Sequence, residues 1–253
     1  MAQSTHPPLG TLRSEMQLSL HTYHAIRLWH GRPQVPELHG ILGLNGFVTL
    51  ANRIYRDAAA DDPYADAWLL HLETKLAATR GALMSLREKL GEALARAPSA
   101  LQLGDNLNMA PVELPVTVSA PHGFLALYLL ADYDELARQA LLAQHTALID
   151  GPTLEEWLEE GAHQLRSLFC LIQPYRSSGV CRSDFAAGNA RATQAREQFG
   201  DLPQSVLDGQ QRARHAPAIR SPGPDKLSVA ATGPSAADDH RGLDQPSAEE
   251  PQS

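Results

Sequence analysis

Met16, Leu18 and Leu20 alternate with Gln17, Ser19 and His21 across SEMQLSLH, residues 14 to 21, the period-two pattern of a strand with one buried and one polar face. Thr22 then caps a short predicted helix that reaches Trp29, before Gly31 and Pro33 stop it. From Leu44 the spacing turns helical, with Phe47, Val48, Ala51, Ile54, Tyr55 and Ala58 on one side and Asn45, Thr49, Asn52, Arg53 and Arg56 on the other. Asp61, Asp62 and Pro63 break the chain and open a second, long helix, because acids and proline suit a first turn whose N–H groups lack partners. Along it Leu69, Leu72, Leu76, Thr79, Leu83, Leu86, Leu90 and Ala93 advance in steps of three and four. This is a heptad seam interrupted only by Thr79, and it demands a partner helix, either in the same chain or across a dimer.

Residues 98 to 111 read as a loop, and residues 112 to 120 as a second strand with Val112, Leu114, Val116 and Val118 on one face, its Pro115 pointing to an edge position. GFLALYLLA, residues 123 to 131, fits a buried strand or the start of a helix. Asp132 and Glu135 have capping-box spacing, which favours the strand followed by a fresh helix from Tyr133 to about Leu148. Thr153 and Glu156 repeat that spacing ahead of a helix that buries Leu154, Trp157, Leu158, Leu165, Leu168, Phe169 and Ile172 and ends at Pro174. One helix over residues 182 to 198 and a short one near 203 to 210 complete the expectation: an α+β, mostly α-helical fold with a few short strands.

Composition adds the boundaries. The chain has 253 residues, 43% hydrophobic and 20% charged, enough for a substantial core. It offers no apolar run of the roughly 18 to 20 residues that a membrane span needs, and its start lacks the pattern of a signal peptide, so a cytoplasmic location is expected. Residues 221 to 253 hold six acids against two bases, five prolines and no aromatic residue, which predicts a disordered acidic tail. Residues 1 to 12 are expected to be a flexible N-terminus and residues 13 to 220 a single helix-rich domain.

The candidate chemistry is sparse. Cys170 and Cys181 form no zinc or redox motif, and His21, His24 and His30 lack the spacing that aims two imidazoles at one ion. His145 and His163 read as partly buried structural histidines, and Asp61, Asp62 and Asp66 as the acids of a helix start. No phosphate-cradling loop or nucleophile motif occurs, so neither an enzyme nor a cofactor is expected. Positive charge does collect locally: residues 1 to 56 carry five arginines against two acids, and residues 176 to 220 carry seven against four. Of the 21 basic residues 18 are arginine, the better geometric match to phosphates and base edges.

A ribbon made by one strand from each of two subunits fits the major groove of DNA. On that reading Gln17, Ser19 and His21, with the nearby Arg13, are the candidate DNA-binding residues. Every half-exposed strand has a polar face, however, and the strand at 112 to 120 competes with Glu113, Thr117 and Ser119 facing outward; its acid would repel phosphate.

The stretches DDPYADAW (61 to 68), YLLADYDELARQALLAQHTALID (128 to 150) and LRSLFCLIQPYRSSGVCRSDFAAGNARA (165 to 192), with HGILGLNGF (39 to 47) and LPQSVLDG (202 to 209), resemble a family of integrating conjugative element proteins related to AcaB-like transcriptional regulators. The resemblance spans roughly residues 10 to 220. It implies a ribbon-helix-helix type of binding to double-stranded DNA, a homodimer and activation of transfer genes. It supplies no catalytic motif. The alternative is a non-enzymatic protein-interaction component of the transfer machinery.

Overall fold

The structure, a computed structural model, describes residues 16–34, 36 and 40–220. The expected flexible N-terminus, Arg13 and the acidic tail lie outside the described residues. The order is β1 (Gln17–Leu20), α1 (Tyr23–His30), β2 (Gly31–Arg32), β3 (Ile41–Leu42), α2 (Leu44–Ala59), α3 (Pro63–Leu94), β4 (Val112–Pro115), α4 (Pro121–His145), α5 (Gly151–Leu171), α6 (Arg182–Ala187), α7 (Ala190–Phe199) and α8 (Gln204–Leu207). It is the mostly helical α+β arrangement that the hydrophobic periodicities predict.

The 32-residue α3 is the axis of the fold. The Asp62 carboxylate accepts from the N–H groups of Tyr64 and Ala65, and Pro63 occupies the first turn, so the helix starts where the sequence signals it. Every member of the heptad seam from Leu69 to Ala93 is buried. The seam meets α4 and α5 of the same chain in one continuous core, so it has no free face left for a second subunit. Thr79, the polar break in the seam, is fully buried with no partner for its hydroxyl among the described residues. On α5, Trp157, Leu158, Leu165, Leu168 and Phe169 are buried as the stripe predicts, with Leu154 half-buried and Ile172 closing the helix.

Several expectations need correction. Residues 123 to 131 are not a strand: α4 runs unbroken from Pro121, whose ring suits the first turn, through Asp132 and Glu135. Those two acids are not caps but surface partners of Arg87 on α3, at 3.7 and 3.3 Å. The single helix over 182 to 198 is instead α6 and α7, because Gly188 adopts a left-handed conformation (φ 59°) and Asn189 caps a new helix by accepting from the Ala192 N–H. His145 and His163 are exposed rather than partly buried.

The segment after α8 is strapped back onto the bundle. Arg212 meets the buried Asp66, and the N–H groups of Arg214 and His215 donate to the Glu73 carboxylate at 2.8 and 2.9 Å. The fully buried His122 completes this cluster: its Nε2 lies 3.2 Å from Glu73 Oε1 and its ring stands edge-on to His215. Its Nδ1 has no partner among the described residues. A proton there would have no acceptor, and burial already disfavours the imidazolium, so His122 titrates below the usual histidine range despite the pull of Glu73. Burial works to raise Glu73, yet the two backbone N–H groups and His122 outweigh it and hold this carboxyl below its usual range.

The pH consequence has a definite sign. A histidine whose folded pKa is depressed contributes stability that is present above its unfolded value and lost as the pH falls. Unfolding midpoints in urea should therefore drop between about pH 7 and about pH 5. His122→Gln, which can still donate to Glu73 but cannot ionise, should lose less over that interval; an identical fall in both proteins would show that His122 is not responsible.

Candidate nucleic-acid interface

The strand at residues 17 to 20 and its competitor at 112 to 115 turn out to be partners. β1 and β4 pair antiparallel in one chain, with Gln17 opposite Pro115, Leu18 opposite Leu114, Ser19 opposite Glu113 and Leu20 opposite Val112. The Val116 N–H extends the ladder by donating to the Met16 carbonyl at 2.9 Å. Cross-strand neighbours share a face, so the two candidate surfaces are one. Leu20, Leu114 and Val116 turn into the core with Leu18 packed against it, whereas Gln17, Ser19, Glu113, Pro115 and Thr117 are exposed. Val112 and Met16, expected inward, are more than a third exposed because they sit at the margin of this small sheet.

Ser19 donates to Glu113 Oε1 at 3.3 Å, which places an acid in the middle of the outward face. Asn52 on α2 fixes the far end, its side-chain oxygen accepting from the N–H groups of Ser119 and Ala120 at 3.1 and 2.9 Å. The outer face of α2, with exposed Asn45, Thr49, Arg53 and Arg56, thus adjoins the sheet and adds basic groups.

Asp134 on α4 sets the pose of β1. Its carboxylate is 3% exposed and accepts three hydrogen bonds where the strand turns into α1: from the N–H of His21 at 3.0 Å, the N–H of Thr22 at 2.8 Å and the Thr22 hydroxyl at 2.7 Å. Thr22 in turn accepts from the Ala25 N–H and caps α1, as the sequence predicts. The loop before β4 is tied to the same corner. Asn108 donates its backbone N–H to His21 Nδ1 and its side-chain amide to the His21 carbonyl, while Arg138 donates to the Asp105 carbonyl.

Of the residues singled out by sequence, Gln17 and Ser19 therefore lie together on the exposed face. His21 is half-buried, and its Nδ1 holds the loop. Sequence reasoning missed Asp134, Asn108 and Asn52. Asp134 alone carried a signal: it follows Leu130 by four and precedes Ala137 by three, an acid set on a buried stripe. Among the described residues no cluster of histidine, cysteine and acids could hold a metal, and no helix is long and apolar enough to cross a membrane.

Comparison with known proteins agrees with the fold. A crystal structure of selenomethionine-containing AcaB from uropathogenic E. coli aligns with a TM-score of 0.51 at 9% identity, covering 79% of this chain and 98% of that one. Curated proteins give no match. The family model described as transcriptional regulator AcaB matches residues 8–220, which takes in β1 to α8 and the strap that follows. The chain belongs to the AcaB family of transcriptional regulators.

Proposed function

We propose that this chain regulates conjugative transfer genes by binding double-stranded DNA as a homodimer, reading bases with the outward face of β1. The observation that carries this reading is the pairing of exposure with rigidity. Gln17 and Ser19 project from a strand that is bonded to β4 on one side and clamped by Asp134 at its end. Groups that read base edges need this kind of fixed presentation. In the described residues the second edge of β1 carries no strand, so β1 of a second copy can add there and give a ribbon continuous across the dimer axis. Arg13, Arg53 and Arg56 would serve as phosphate contacts. Glu113 weakens non-specific attraction at the same face and can accept from a cytosine amino group, which turns the acid into a source of selectivity.

Chromatin immunoprecipitation with sequencing in the native host tests the function. Enrichment at promoters of transfer genes is expected, and enrichment confined to unrelated loci or absent altogether would contradict it. One observation favours a second reading, a protein-interaction component of the transfer machinery. The loop beside the sheet exposes Leu101, Leu107 and Met109, the last of them 99% exposed. Salt separates the two: phosphate contacts weaken steeply with added salt, and a packed apolar interface does not.

A further inference from the structure

α1 and α5 line a cleft of about 820 Å³, to which Gly31, Arg32, Ile41 and Leu42 of β2 and β3 also contribute. This size falls within the range of small-molecule sites, roughly 300 to 1,000 Å³. Its α5 wall comes from residues 155, 158, 159, 162 and 166, a single helical face. Its floor is preformed. The buried Tyr133 lines it and donates its hydroxyl to the Leu158 carbonyl at 2.9 Å. Behind it, Gly161 lets α5 approach so closely that a Cβ there would stand 2.8 Å from the Tyr133 ring.

The lining divides by chemistry. Leu28, Leu158 and Ala162 give an apolar bed, and Tyr23, 72% exposed, stands at the rim one turn before Arg27. Among the described residues Arg27, Arg32 and Arg166 line the cleft together with Glu155 and Glu159. Arg166 is bound to Glu159, whereas Arg27 makes no ion pair among the described residues. His24 beside them titrates below the usual histidine range, through burial first and the Arg27 charge second.

We propose that this cleft binds a small organic anion with an aromatic or aliphatic body, its charge held by Arg27 and its body resting on Leu28, Leu158 and Ala162 with Tyr23 at the rim. Arg27, with no ion pair among the described residues, favours an anion over a cation, and the apolar bed favours an amphipathic anion over inorganic phosphate. A rigid floor lowers the ordering cost of binding. The cleft shares no lining residue with β1 or β4, and the proposal stands whether or not that sheet binds DNA.

The probe is 8-anilinonaphthalene-1-sulfonate, an anion with an aromatic body, titrated by fluorescence into the full chain without DNA. Saturable one-site binding is expected, about tenfold weaker in Arg27→Glu and weaker by a smaller factor in Tyr23→Ala, two exposed positions whose replacement leaves the core intact. Met109→Ser, at the apolar loop, should leave binding unchanged. Neutral N-phenyl-1-naphthylamine should bind at least about tenfold more weakly than the sulfonate. Binding that fails to saturate, survives Arg27→Glu, depends on Met109 or is equal for the neutral probe would overturn the proposal.

Discussion

Asp66→Ala should destabilise the protein by about 3 to 5 kcal/mol, the usual result of leaving buried charges without their partner. Asp66 is fully buried on the first turn of α3. Its carboxylate accepts from Arg182 at 2.6 Å and takes a two-pronged contact from Arg212 at 2.9 and 3.0 Å. Arg182 also binds Asp61 at 2.6 Å and the Val206 carbonyl at 2.9 Å. One acid therefore joins three distant stretches: the α2–α3 turn, the start of α6 and the strap after α8. Its removal leaves the Arg212 guanidinium, 20% exposed, without a counter-charge among the described residues and Arg182, 12% exposed, with Asp61 as its one remaining acid there. Urea denaturation measures the loss, and limited proteolysis should show the strap released before the bundle opens. A loss under about 1 kcal/mol would mean that water already screens these charges, as it does for surface pairs.

Phe169→Ala should cost a similar amount, about 3 to 5 kcal/mol, through a different cause. Phe169 is fully buried, and its ring packs tilted against Phe47 of α2 at a centroid separation of 5.4 Å. Truncation removes a large apolar surface from water-free contact and opens a cavity that two helices, each held by its own hydrogen bonds, cannot close. Phe169→Leu, which refills most of the space, should recover a large part of the loss in the same denaturation experiment. Equal stability of the Ala variant and the parent would show that α5 does not bury this face.

These two residues also mark what the chain discloses on its own. The Phe169 stripe and the α3 seam are legible because burial against a neighbouring helix imposes a local period of three and four residues. Nothing local announces the Asp66 network, since its partners Arg182 and Arg212 lie 116 and 146 residues further along. A helix-start acid and a buried ion-pair anchor look the same in one dimension. Residues 123 to 131 were misleading for a related reason: an apolar run buried on most sides has no period to separate strand from helix, and Asp132 and Glu135 mimic a cap while pairing with Arg87. At the candidate interface the outward and inward alternation of β1 was readable. Its pairing with β4 and its clamp by Asp134 were not, because both join segments more than ninety residues apart.

The outward face of β1 is the centre of the functional reading, and a binding titration addresses it most directly. Labelled transfer-gene promoter DNA and a scrambled duplex are titrated by fluorescence anisotropy at several salt concentrations with the parent and with a Gln17→Ala, Ser19→Ala double variant. Neither side chain lies in the core, so the variant should fold as the parent does. The parent should prefer promoter DNA, with affinity falling steeply as salt rises. The double variant should keep that salt slope and lose roughly 1 to 3 kcal/mol of preference for each base contact removed. A parent that binds no DNA at low salt, or a double variant with undiminished preference, would contradict the account.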